Sequence, residues 1–550
     1  MRMLPTALSV LARLSPIMAA LCLLATASSA EVRLYDSTFA WKLFEVDVGA
    51  SQGFWVDGSS AYAQTATTRN FPTKVLENEY LRITLLPSFG GRILSIYNKS
   101  TRHEELYQNH LGVAYERGHG IFYWNYLYVL GGIFPTFPEA EHGSTWNQVW
   151  NFRIVSQTPD SIAVEMSFKD TLPFYPSLSF HGPTSNTGIL CRAMVSLAKG
   201  ANKVGMDVEL IPDAKNRSPA YEYWTNVSFA PGSEPGRTFT PSNTELYVPM
   251  HEIRFKSDFY SYMADWDKLL HEWAWEFKNS RWLKNWSDRG IAYAIDQDKD
   301  WWGVINHDAH EGLFRLGDRT VTPGLKFWSF GDKQGLAGLT STSNSLENRP
   351  FVELWAGRTM AFFSKDRLEG KVEIHEQYLP IAGMDDVDEL NAFGAISLRI
   401  TDSGGIKSAR VVHATAFPDQ ALEYWLEYDG VKYPVTGFTG SGREPMRADT
   451  ELWFPTRKGK TLAAVIGRNG VEWIRAEADP GDYVPVHVSI RKRSGSPSHF
   501  PQSPGMVAER GAMSFFNPAA GTDAPGYSLT GRVLTLRKAA RESAERDGRR

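Results

Sequence analysis

The feature that most constrains the fold is a succession of short segments in which polar and apolar residues alternate. They run from position 75 to about 363, and Gly, Pro, Asn or Asp separates one from the next. Typical segments are Ser161–Phe168, Lys203–Ile211 and Trp302–Asn306. Because successive side chains of a strand point to opposite faces, a period of two indicates half-buried β-strands. The pattern predicts an all-β sandwich or barrel.

One hairpin is predicted within the sequence ENEYLRITLLPSFGGR, which begins at Glu77. Leu81–Leu85 alternates as a strand does, and Pro87 ends the strand. Gly90-Gly91 allows a tight corner with backbone angles that other residues avoid. The returning strand is predicted at Ile93–Tyr97.

Other stretches of the chain depart from this pattern. Residues Tyr260–Trp286 have near-helical spacing of apolar side chains, which predicts a short helix or an irregular insertion. Asp402–Gly405 is rich in turn residues and is predicted to be a linker, after which alternation returns in a smaller second β-sandwich. The predicted organisation is a signal peptide at 1–30, lead-in strands at 31–72, a large β domain at 73–398, a small β-sandwich at 399–490 and a largely disordered tail at 491–550.

The N-terminus has the features of a secretory signal peptide. Arg2 and Arg13 accompany a short apolar run, and Ser28-Ser29-Ala30 supplies the small residues of a cleavage site. We expect a periplasmic or secreted protein with no integral membrane segment after signal removal. Loss of two basic residues changes the net charge from −4 to about −6, which argues against a nucleic-acid partner. Cys191 is then the single cysteine, so no internal disulfide is predicted.

Several motifs of known enzyme classes are absent from the sequence. It has no nucleophile elbow, phosphate-binding loop or dinucleotide fingerprint. His307, Asp308 and His310 have the chemistry of metal ligands, but neither a cysteine nor an HExxH helix accompanies them, so a surface turn is favoured. The acidic run Asp296–Asp300 lacks the glycine and terminal glutamate of a calcium loop. We predict neither a metal nor a cofactor.

The hairpin and two further stretches of the sequence resemble, in the same order, stretches of one known superfamily. NEYLRITLLPSFGGRI resembles the opening hairpin of the galactose mutarotase-like (aldose 1-epimerase) superfamily, in particular a branch of uncharacterised bacterial domains. GLKFWSFG from Gly324 and EQYLPIAG from Glu376 resemble recurring stretches of that branch. The resemblance spans about Val75 to Leu398. It implies a galactose mutarotase-like antiparallel β-supersandwich, followed by the smaller β-sandwich, that binds a saccharide in a groove on one sheet.

Three candidate catalytic residues follow from the resemblance. His142 in FPEAEHGSTW is similar to the sugar-binding histidine of the family, although Ser144 replaces a glycine of that motif. Glu353 in FVELWAG matches the catalytic base, with Trp355 in place of a glutamine. Glu222 in YEYWTNVSF stands where the family has its catalytic-acid histidine. This last departure makes plain mutarotase activity doubtful.

The chemistry of Glu353 can also be argued from its neighbours. Val352 and Leu354 flank it, so in a strand its side chain points away from theirs. Opening a hemiacetal ring needs a base for the anomeric hydroxyl and an acid for the ring oxygen. Glu353 suits the first role, and Glu222 suits the second if its pKa is raised by burial. A carboxyl pair also suits glycan hydrolysis, and an ordinary structural role for either Glu is equally open.

Six residues are predicted to contact the substrate. The aromatic fraction is 13% with 18 Trp, and an indole accepts the axial C–H face of a pyranose as readily as it fills a core. The predicted substrate-binding residues are Trp224, Asn226, Trp355, Trp146, Arg92 and Glu376.

Three alternatives to an epimerase-type or glycan-cleaving enzyme remain open. A non-catalytic carbohydrate-binding protein would use the same aromatic groove without a carboxyl pair. A polysaccharide lyase would need a cation and a proton-abstracting Tyr or His, for which Arg92, Tyr221, Tyr223 and His142 are available. A structural β protein would bury its tryptophans behind a closed sheet.

Overall fold

A computed structural model of the protein describes most of the chain between residues 31 and 485. The described residues are 31–44, 67–109, 111–113, 131–138, 145–146, 148–172, 186–255, 274–276, 281–285, 290–294, 296–329, 352–362, 364–435 and 444–485. Residues up to Ser489 form one compact unit. The predicted signal peptide, the predicted helical spacing within Tyr260–Trp286 and the predicted tail lie outside the described residues, except for short segments of that insertion.

The first part of the chain forms two large sheets. Their strands and two short flanking ones are β1 (Arg33–Phe44), β2 (Thr67–Glu77), β3 (Leu81–Leu86), β4 (Arg92–Asn98), β5 (His103–Leu106), β6 (Leu111–Val113), β7 (Ile133–Thr136), β8 (Asn151–Gln157), β9 (Ser161–Lys169), β10 (Leu190–Ala198), β11 (Val204–Ile211), β12 (Ala220–Tyr221), β13 (Trp224–Ser233), β14 (Thr244–Tyr247), β15 (Glu252–Phe255), β16 (Ala274–Glu276), β17 (Gly290–Ala294), β18 (Trp301–Asn306), β19 (Glu311–Leu316), β20 (Gly324–Ser329), β21 (Val352–Gly357), β22 (Asp366–Arg367) and β23 (Val372–Ala382). A 3-10 turn covers Leu283–Asn285.

The larger sheet contains thirteen of the described strands. Its order is β16-β15-β17-β20-β21-β13-β5-β4-β3-β2-β1-β6, and β7 pairs with β13 and β4. The smaller sheet has the order β14-β18-β19-β23-β11-β10-β9-β8. All pairings are antiparallel apart from the parallel contact of β1 with β6. Side chains such as Ile83, Leu354, Val208 and Leu313 from the two sheets meet in one buried core, and the all-β prediction is confirmed.

The predicted hairpin is formed by β3 and β4. Gly90 and Gly91 both have positive φ, at 79° and 57°. A Cβ at Gly90 would lie 1.8 Å from the Trp146 carbonyl oxygen, and one at Gly91 would lie 2.3 Å from the Trp150 indole. Only glycine therefore fits this corner, for steric as well as conformational reasons.

A second, smaller sandwich follows in the chain. Its strands are β24 (Glu389–Asn391), β25 (Gly394–Ser403), β26 (Ile406–Thr415), β27 (Glu423–Tyr428), β28 (Val431–Pro434), β29 (Met446–Glu451), β30 (Leu462–Arg468) and β31 (Val471–Ala478). They form two four-stranded sheets, β24-β25-β26-β29 and β28-β27-β30-β31. Asp402–Gly405, predicted to be a linker, is wholly part of the β25–β26 hairpin, because Gly404 and Gly405 supply the positive φ of its turn.

The two sandwiches share a cluster of buried side chains. Phe314 and Ile381 lie on the face of the eight-stranded sheet that points away from the main core. They pack with Leu390 and Ala395 of the second sandwich. The predicted domain boundaries stay predictions, since the whole region up to Ser489 is one compact unit. Among the described residues, no helix is long and apolar enough to cross a bilayer.

Burial differs between the sheet margins and the centre of the thirteen-stranded sheet. β10 and β11 alternate between buried and half-buried residues, as strands with one covered face do. Every residue of β20 and β21 is buried, and so are nine of the ten in β13. Both faces of these three neighbouring strands are covered. One face meets the core between the sheets, and the other carries the candidate site.

Candidate functional site

The candidate site lies on the face of the large sheet that points away from the core. Val352 and Leu354 of β21 belong to the core cluster, so Glu353 and Trp355 point to the other side. This orientation is the one predicted from the residues that flank Glu353. The antiparallel register places Glu353 opposite Ser228 of β13 and Trp328 of β20.

The Glu353 carboxyl group has hydrogen-bond donors on its own strand and on β13. Trp355 Nε1 donates to Glu353 Oε2 at 2.9 Å, and Ser228 Oγ lies 3.3 Å from Oε1. Ser228 Oγ also lies 3.1 Å from Asn226 Oδ1. Two predicted substrate-binding residues, Trp355 and Asn226, are therefore beside the predicted base.

The pKa of Glu353 is set by two opposing effects. Burial raises the pKa of this carboxyl to about 7, although the positive charge of Lys326 and hydrogen bonds from Asn226, Trp355 and Ser228 lower it. The desolvation penalty of the carboxylate is thus larger than the stabilisation that these neighbours give to its charged form. The result is a group that exchanges a proton near neutral pH, as a general base or acid must.

A continuous row of side chains crosses the sheet next to Glu353. Each member stands directly opposite the next in the ladder, so all share the same face. The row consists of Arg254, Tyr293, Lys326, Trp355, Asn226 and Phe134, on β15, β17, β20, β21, β13 and β7.

Lys326 is a buried cation surrounded by aromatic rings. Its Nζ lies 3.8 Å from the ring centroid of Phe362, 4.4 Å from that of Trp355 and 5.7 Å from that of Trp328. Aromatic faces attract an ammonium group through the ring quadrupole, most strongly where water is excluded. Lys326 was missed by the sequence analysis, although a lysine within the apolar run GLKFWSFG is a signal that something on that face compensates its charge.

Trp224 covers a gap made by two glycines. A Cβ at Gly357 would lie 2.3 Å from the Trp224 ring, and one at Gly324 would lie 2.9 Å from it. Gly324, Gly357 and Trp224 are cross-strand neighbours, so the indole lies across the two strands beside its own. A larger residue at either glycine would displace the ring.

Phe362 occupies the space between the two predicted stacking platforms. Its ring centroid is 4.8 Å from that of Trp224 and 5.2 Å from that of Trp355, with near-perpendicular planes in both pairs. Glu353 is 3% exposed, Lys326 2%, and both indoles are fully buried. The face is closed in this structure, and Phe362 is one of the side chains that close it.

Glu222 does not lie beside Glu353. Tyr221 and Tyr223 both point into the core, so Glu222 between them is on the side of the candidate site. It is six residues before Ser228, the ladder partner of Glu353. The part of this separation that lies in β13, from Trp224 to Ser228, alone spans about 13 Å at the rise of an extended strand. The described strands therefore do not bring the two carboxyl groups together.

Arg92 and Trp146 brace the glycine corner. Arg92 donates from Nε to the Phe89 carbonyl oxygen at 2.9 Å and from its two terminal nitrogens to the carbonyl oxygens of Gly131 at 2.9 Å and Trp146 at 2.7 Å. Burial lowers its pKa to about 9. Its guanidinium lies 4.2 Å from the centroid of Phe134, at the end of the row. Three strand spacings, about 14 Å, separate Arg92 from Trp355.

Glu376 is part of a buried ion pair within the core. Arg315 Nε donates to Glu376 Oε1 at 2.8 Å, and the Tyr378 hydroxyl donates to Oε2 at 2.8 Å. Both carboxylate oxygens thus have partners from the protein. This arrangement accounts for the residue by structure alone, and β23, which carries it, belongs to the smaller sheet.

The remaining candidates lie elsewhere. His142 is outside the described residues. Tyr221 and Tyr223, considered for a lyase, belong to the core cluster, and burial raises the pKa of Tyr221 to about 12. His307 Nε2 lies 2.8 Å from Glu245 Oε2, and His310 Nδ1 lies 2.5 Å from Asp385 Oδ1. Among the residues that the structure describes, no group of His, Cys, Asp and Glu is arranged to hold a metal ion.

Comparison with known proteins gives one family match over part of the chain and several distant structural similarities. A domain of unknown function, DUF5107, matches residues 55–205. A TPR-domain containing protein from Parabacteroides distasonis is similar, with 17% identity, a TM-score of 0.48, and coverage of 66% of this chain and 58% of that chain. The present chain therefore spans less than two thirds of that protein's length.

Two further solved structures cover nearly all of their own chains. A putative aldose 1-epimerase from Klebsiella pneumoniae has 13% identity and a TM-score of 0.40, and the match covers 63% of this chain and 92% of that one. A galactose mutarotase-like protein from Clostridium acetobutylicum has 8% identity and a TM-score of 0.38, with 64% and 99% covered. These matches include proteins described as galactose mutarotase-like, as the sequence resemblance predicts, and at these identities and TM-scores they carry nothing beyond similarity of fold.

The raised pKa of Glu353 predicts a pH-dependent effect of Glu353→Gln on stability. A folded-state pKa of about 7 against an ordinary value of 4.5 means that the wild type loses stability as pH rises from about 4.5 through 7. Glutamine carries no such cost. Relative to wild type, the variant should gain about 3 kcal/mol of unfolding free energy between pH 4.5 and pH 8.

Urea denaturation of both proteins across this pH range measures the difference. Glu369→Gln is the matched control, because Glu369 is exposed and should show no such trend. A wild-type-to-variant difference that is constant with pH would contradict the assignment of the shift to Glu353.

Proposed function

We propose that the protein binds a saccharide on the face of the large sheet that carries Glu353, and that Glu353 acts there as a base. The observation that carries the proposal is the carboxyl group with a pKa of about 7, which accepts a hydrogen bond from the Trp355 indole and stands opposite Trp328 in the sheet. Indole faces suit the C–H face of a pyranose, and the row supplies amide, phenol and ammonium groups for hydroxyls. This is the usual composition of a sugar site: apolar walls with a few placed polar groups.

The proposed reaction begins with proton transfer from the anomeric hydroxyl to the Glu353 carboxylate. The bond between the anomeric carbon and the ring oxygen then breaks, and the ring oxygen takes a proton from an acid. Glu222 lies outside β13, six residues before the ladder partner of Glu353, and is not assigned this role. His142, the family's sugar-contacting histidine by resemblance, remains the candidate acid, and glycan cleavage with Glu353 as one of two acid–base groups is the related possibility.

A saccharide bound in this way replaces Phe362 between the indoles. The ring of Phe362 contacts Trp224, Trp355 and Lys326, which are the groups that a pyranose would contact. Binding therefore includes the cost of moving this ring, and its contacts with the two indoles are exchanged for contacts with the sugar.

The non-catalytic alternative has one observation in its favour. The ladder partners of Glu353 and the groups that set its pKa are Ser228, Asn226, Trp355, Trp328 and Lys326, and none of these five is a carboxylic acid or a histidine. A protein that only binds saccharide needs no second acid–base group, and a single buried carboxyl accepts hydrogen bonds from two sugar hydroxyls.

We predict that a panel of saccharides raises the melting temperature of the wild-type protein. Ligands that bind only the folded state stabilise it by mass action. Glu353→Gln should retain the response and lose turnover, and kcat/KM of the wild type should rise with pH and level off above about 7, as Glu353 ionises.

Glu369→Gln, on an exposed residue, should match the wild type in both assays. Thermal response without turnover of any saccharide in the wild type would favour the non-catalytic alternative. A panel that produces neither response would refute the saccharide site.

We also predict that Phe362→Ala and the milder Phe362→Leu bind the responding saccharide more tightly than wild type does. Both remove part of the ring that the sugar must displace, while stability falls by up to about 4 kcal/mol for Ala. Isothermal titration gives the affinity and urea denaturation the stability.

The matched control is Phe327→Leu on the core face of β20. It should lower stability and leave affinity unchanged. Affinity that falls in proportion to stability in all three variants would contradict the proposed displacement of Phe362.

We further propose that the protein is exported to the periplasm or beyond. Support comes from the signal-like residues 1–30 and from Val32, which is 5% exposed and packs in the core just after the expected cleavage site. The expected mature N-terminus is Glu31, to be checked by N-terminal sequencing of protein from fractionated cells. A full-length chain that begins at Met1 in the soluble cytosolic fraction would contradict export.

A further inference from the structure

The second sandwich carries an exposed tryptophan with a fixed orientation. Trp453 is 60% exposed, whereas every other tryptophan whose burial the structure describes is buried or half-buried. It follows β29, between Leu452 and Phe454, which both belong to the core of the second sandwich. The Leu452 amide donates to the Lys407 carbonyl oxygen at 2.8 Å, so the backbone that presents Trp453 is held in place.

Aromatic side chains support Trp453 from behind. Tyr433 and Phe454 stack on each other with centroids 4.0 Å apart and an interplanar angle of 11°. The indole is perpendicular to both, at 5.1 Å and 89° from Tyr433 and at 5.9 Å and 81° from Phe454. Such edge-to-face contacts restrict the rotation of the indole without covering both of its faces. Little side-chain entropy would then be lost when a ligand stacks on it.

Exposed polar side chains flank the indole along the chain. From Glu451 to Arg457, exposed and buried residues alternate strictly, with Leu452, Phe454 and Thr456 buried. Glu451 and Arg457 are exposed like Trp453, two residues before it and four residues after it in the chain. A carboxylate and a guanidinium near an indole are suited to hydrogen-bonding the equatorial hydroxyls of a pyranose whose C–H face rests on the ring.

The size of the patch argues for a small ligand. Its apolar part consists of Trp453, the partly exposed Tyr433 and Val431, which is 49% exposed and two residues from Tyr433 on β28. A stable protein interface needs roughly 20–30 residues on each side. Three side chains do not approach that area, but one indole is sufficient for one sugar ring.

We propose that Trp453 is the stacking platform of a second saccharide site, which holds a neutral pyranose of an oligosaccharide or polysaccharide. Tyr433 and Phe454 orient the indole, and Glu451 and Arg457 bind ring hydroxyls. The site extends the proposed function, because it would keep a polymer on the protein while the Glu353 face takes one residue of it. It stands on separate residues and can fail separately.

The test uses the full mature chain and two probes. Affinity gel electrophoresis with soluble xylan, mannan, β-glucan, starch and hydroxyethylcellulose measures retention. Iodide quenching of tryptophan fluorescence, with and without the matching hexaose, measures shielding of an exposed indole. The variants are Trp453→Ala and Trp453→Phe, with Val471→Ala as the control at an equally exposed apolar position of the same sandwich, 62% exposed.

The expected result is that at least one polysaccharide retards the wild type and Val471→Ala equally. Trp453→Ala should weaken that affinity at least tenfold and abolish the shielding from iodide, with an unchanged melting temperature, and Trp453→Phe should lie between.

Wild type and Trp453→Ala that migrate alike on every polysaccharide would overturn the second site, whether both are retarded or neither is. In that case a thermal response of Trp453→Ala to the saccharide panel would still support the Glu353 face, so the two proposals are distinguishable.

Discussion

The candidate site depends on one constraint, which is that the middle of the large sheet is covered on both faces. A strand with one wet face can place any polar residue there at little cost. When both faces are dry, each polar group must find a partner or accept a large desolvation penalty. β13, β20 and β21 nevertheless carry Asn226, Ser228, Lys326 and Glu353 on their second face. The cross-strand order of these residues is what makes their burial tolerable.

Two buried glutamates of this protein respond to that constraint in different ways. Glu376 has direct hydrogen bonds from Arg315 and Tyr378 at 2.8 Å, so its charge is matched within the core. Glu353 has the Trp355 indole, a more distant hydroxyl and the charge of Lys326, and burial still raises its pKa to about 7. A carboxyl group that the fold leaves under-compensated costs stability near neutral pH. Under the proposed function this cost accompanies the role of Glu353 as a base, whereas a completed ion pair is sufficient for structure.

The sequence predicted those parts of the structure that depend on neighbours along the chain. Alternation located strands such as β9, β11 and β26, and the apolar residues beside Glu353 predicted which way it points. The sequence could not predict which residues the pairing of strands brings together. The apolar run around Lys326 signals that its charge is compensated, but only the pairing of β20 with β21 identifies its neighbours, and Phe362 belongs to no periodic segment. The same limit applies to Glu222. Its side chain is on the same side of the sheet as Glu353, but its distance from Glu353 depends on strand pairing, which the sequence does not reveal.

The tryptophan content illustrates what composition can and cannot predict. An excess of indoles was consistent with both core filling and sugar stacking, and the structure separates these uses by position. Trp302 packs in the main core, Trp224 and Trp355 are buried on the second face with Phe362 between them, and Trp453 is exposed. A buried indole can stack on a ligand only if the protein loses an internal contact, so affinity at the proposed Glu353 site would be reduced by the loss of the Phe362 contacts. The exposed indole has no such contact to surrender but offers only one ring. On a shared polymer, the open platform would supply attachment, and the closed face would supply selectivity, because only a residue able to replace Phe362 would enter.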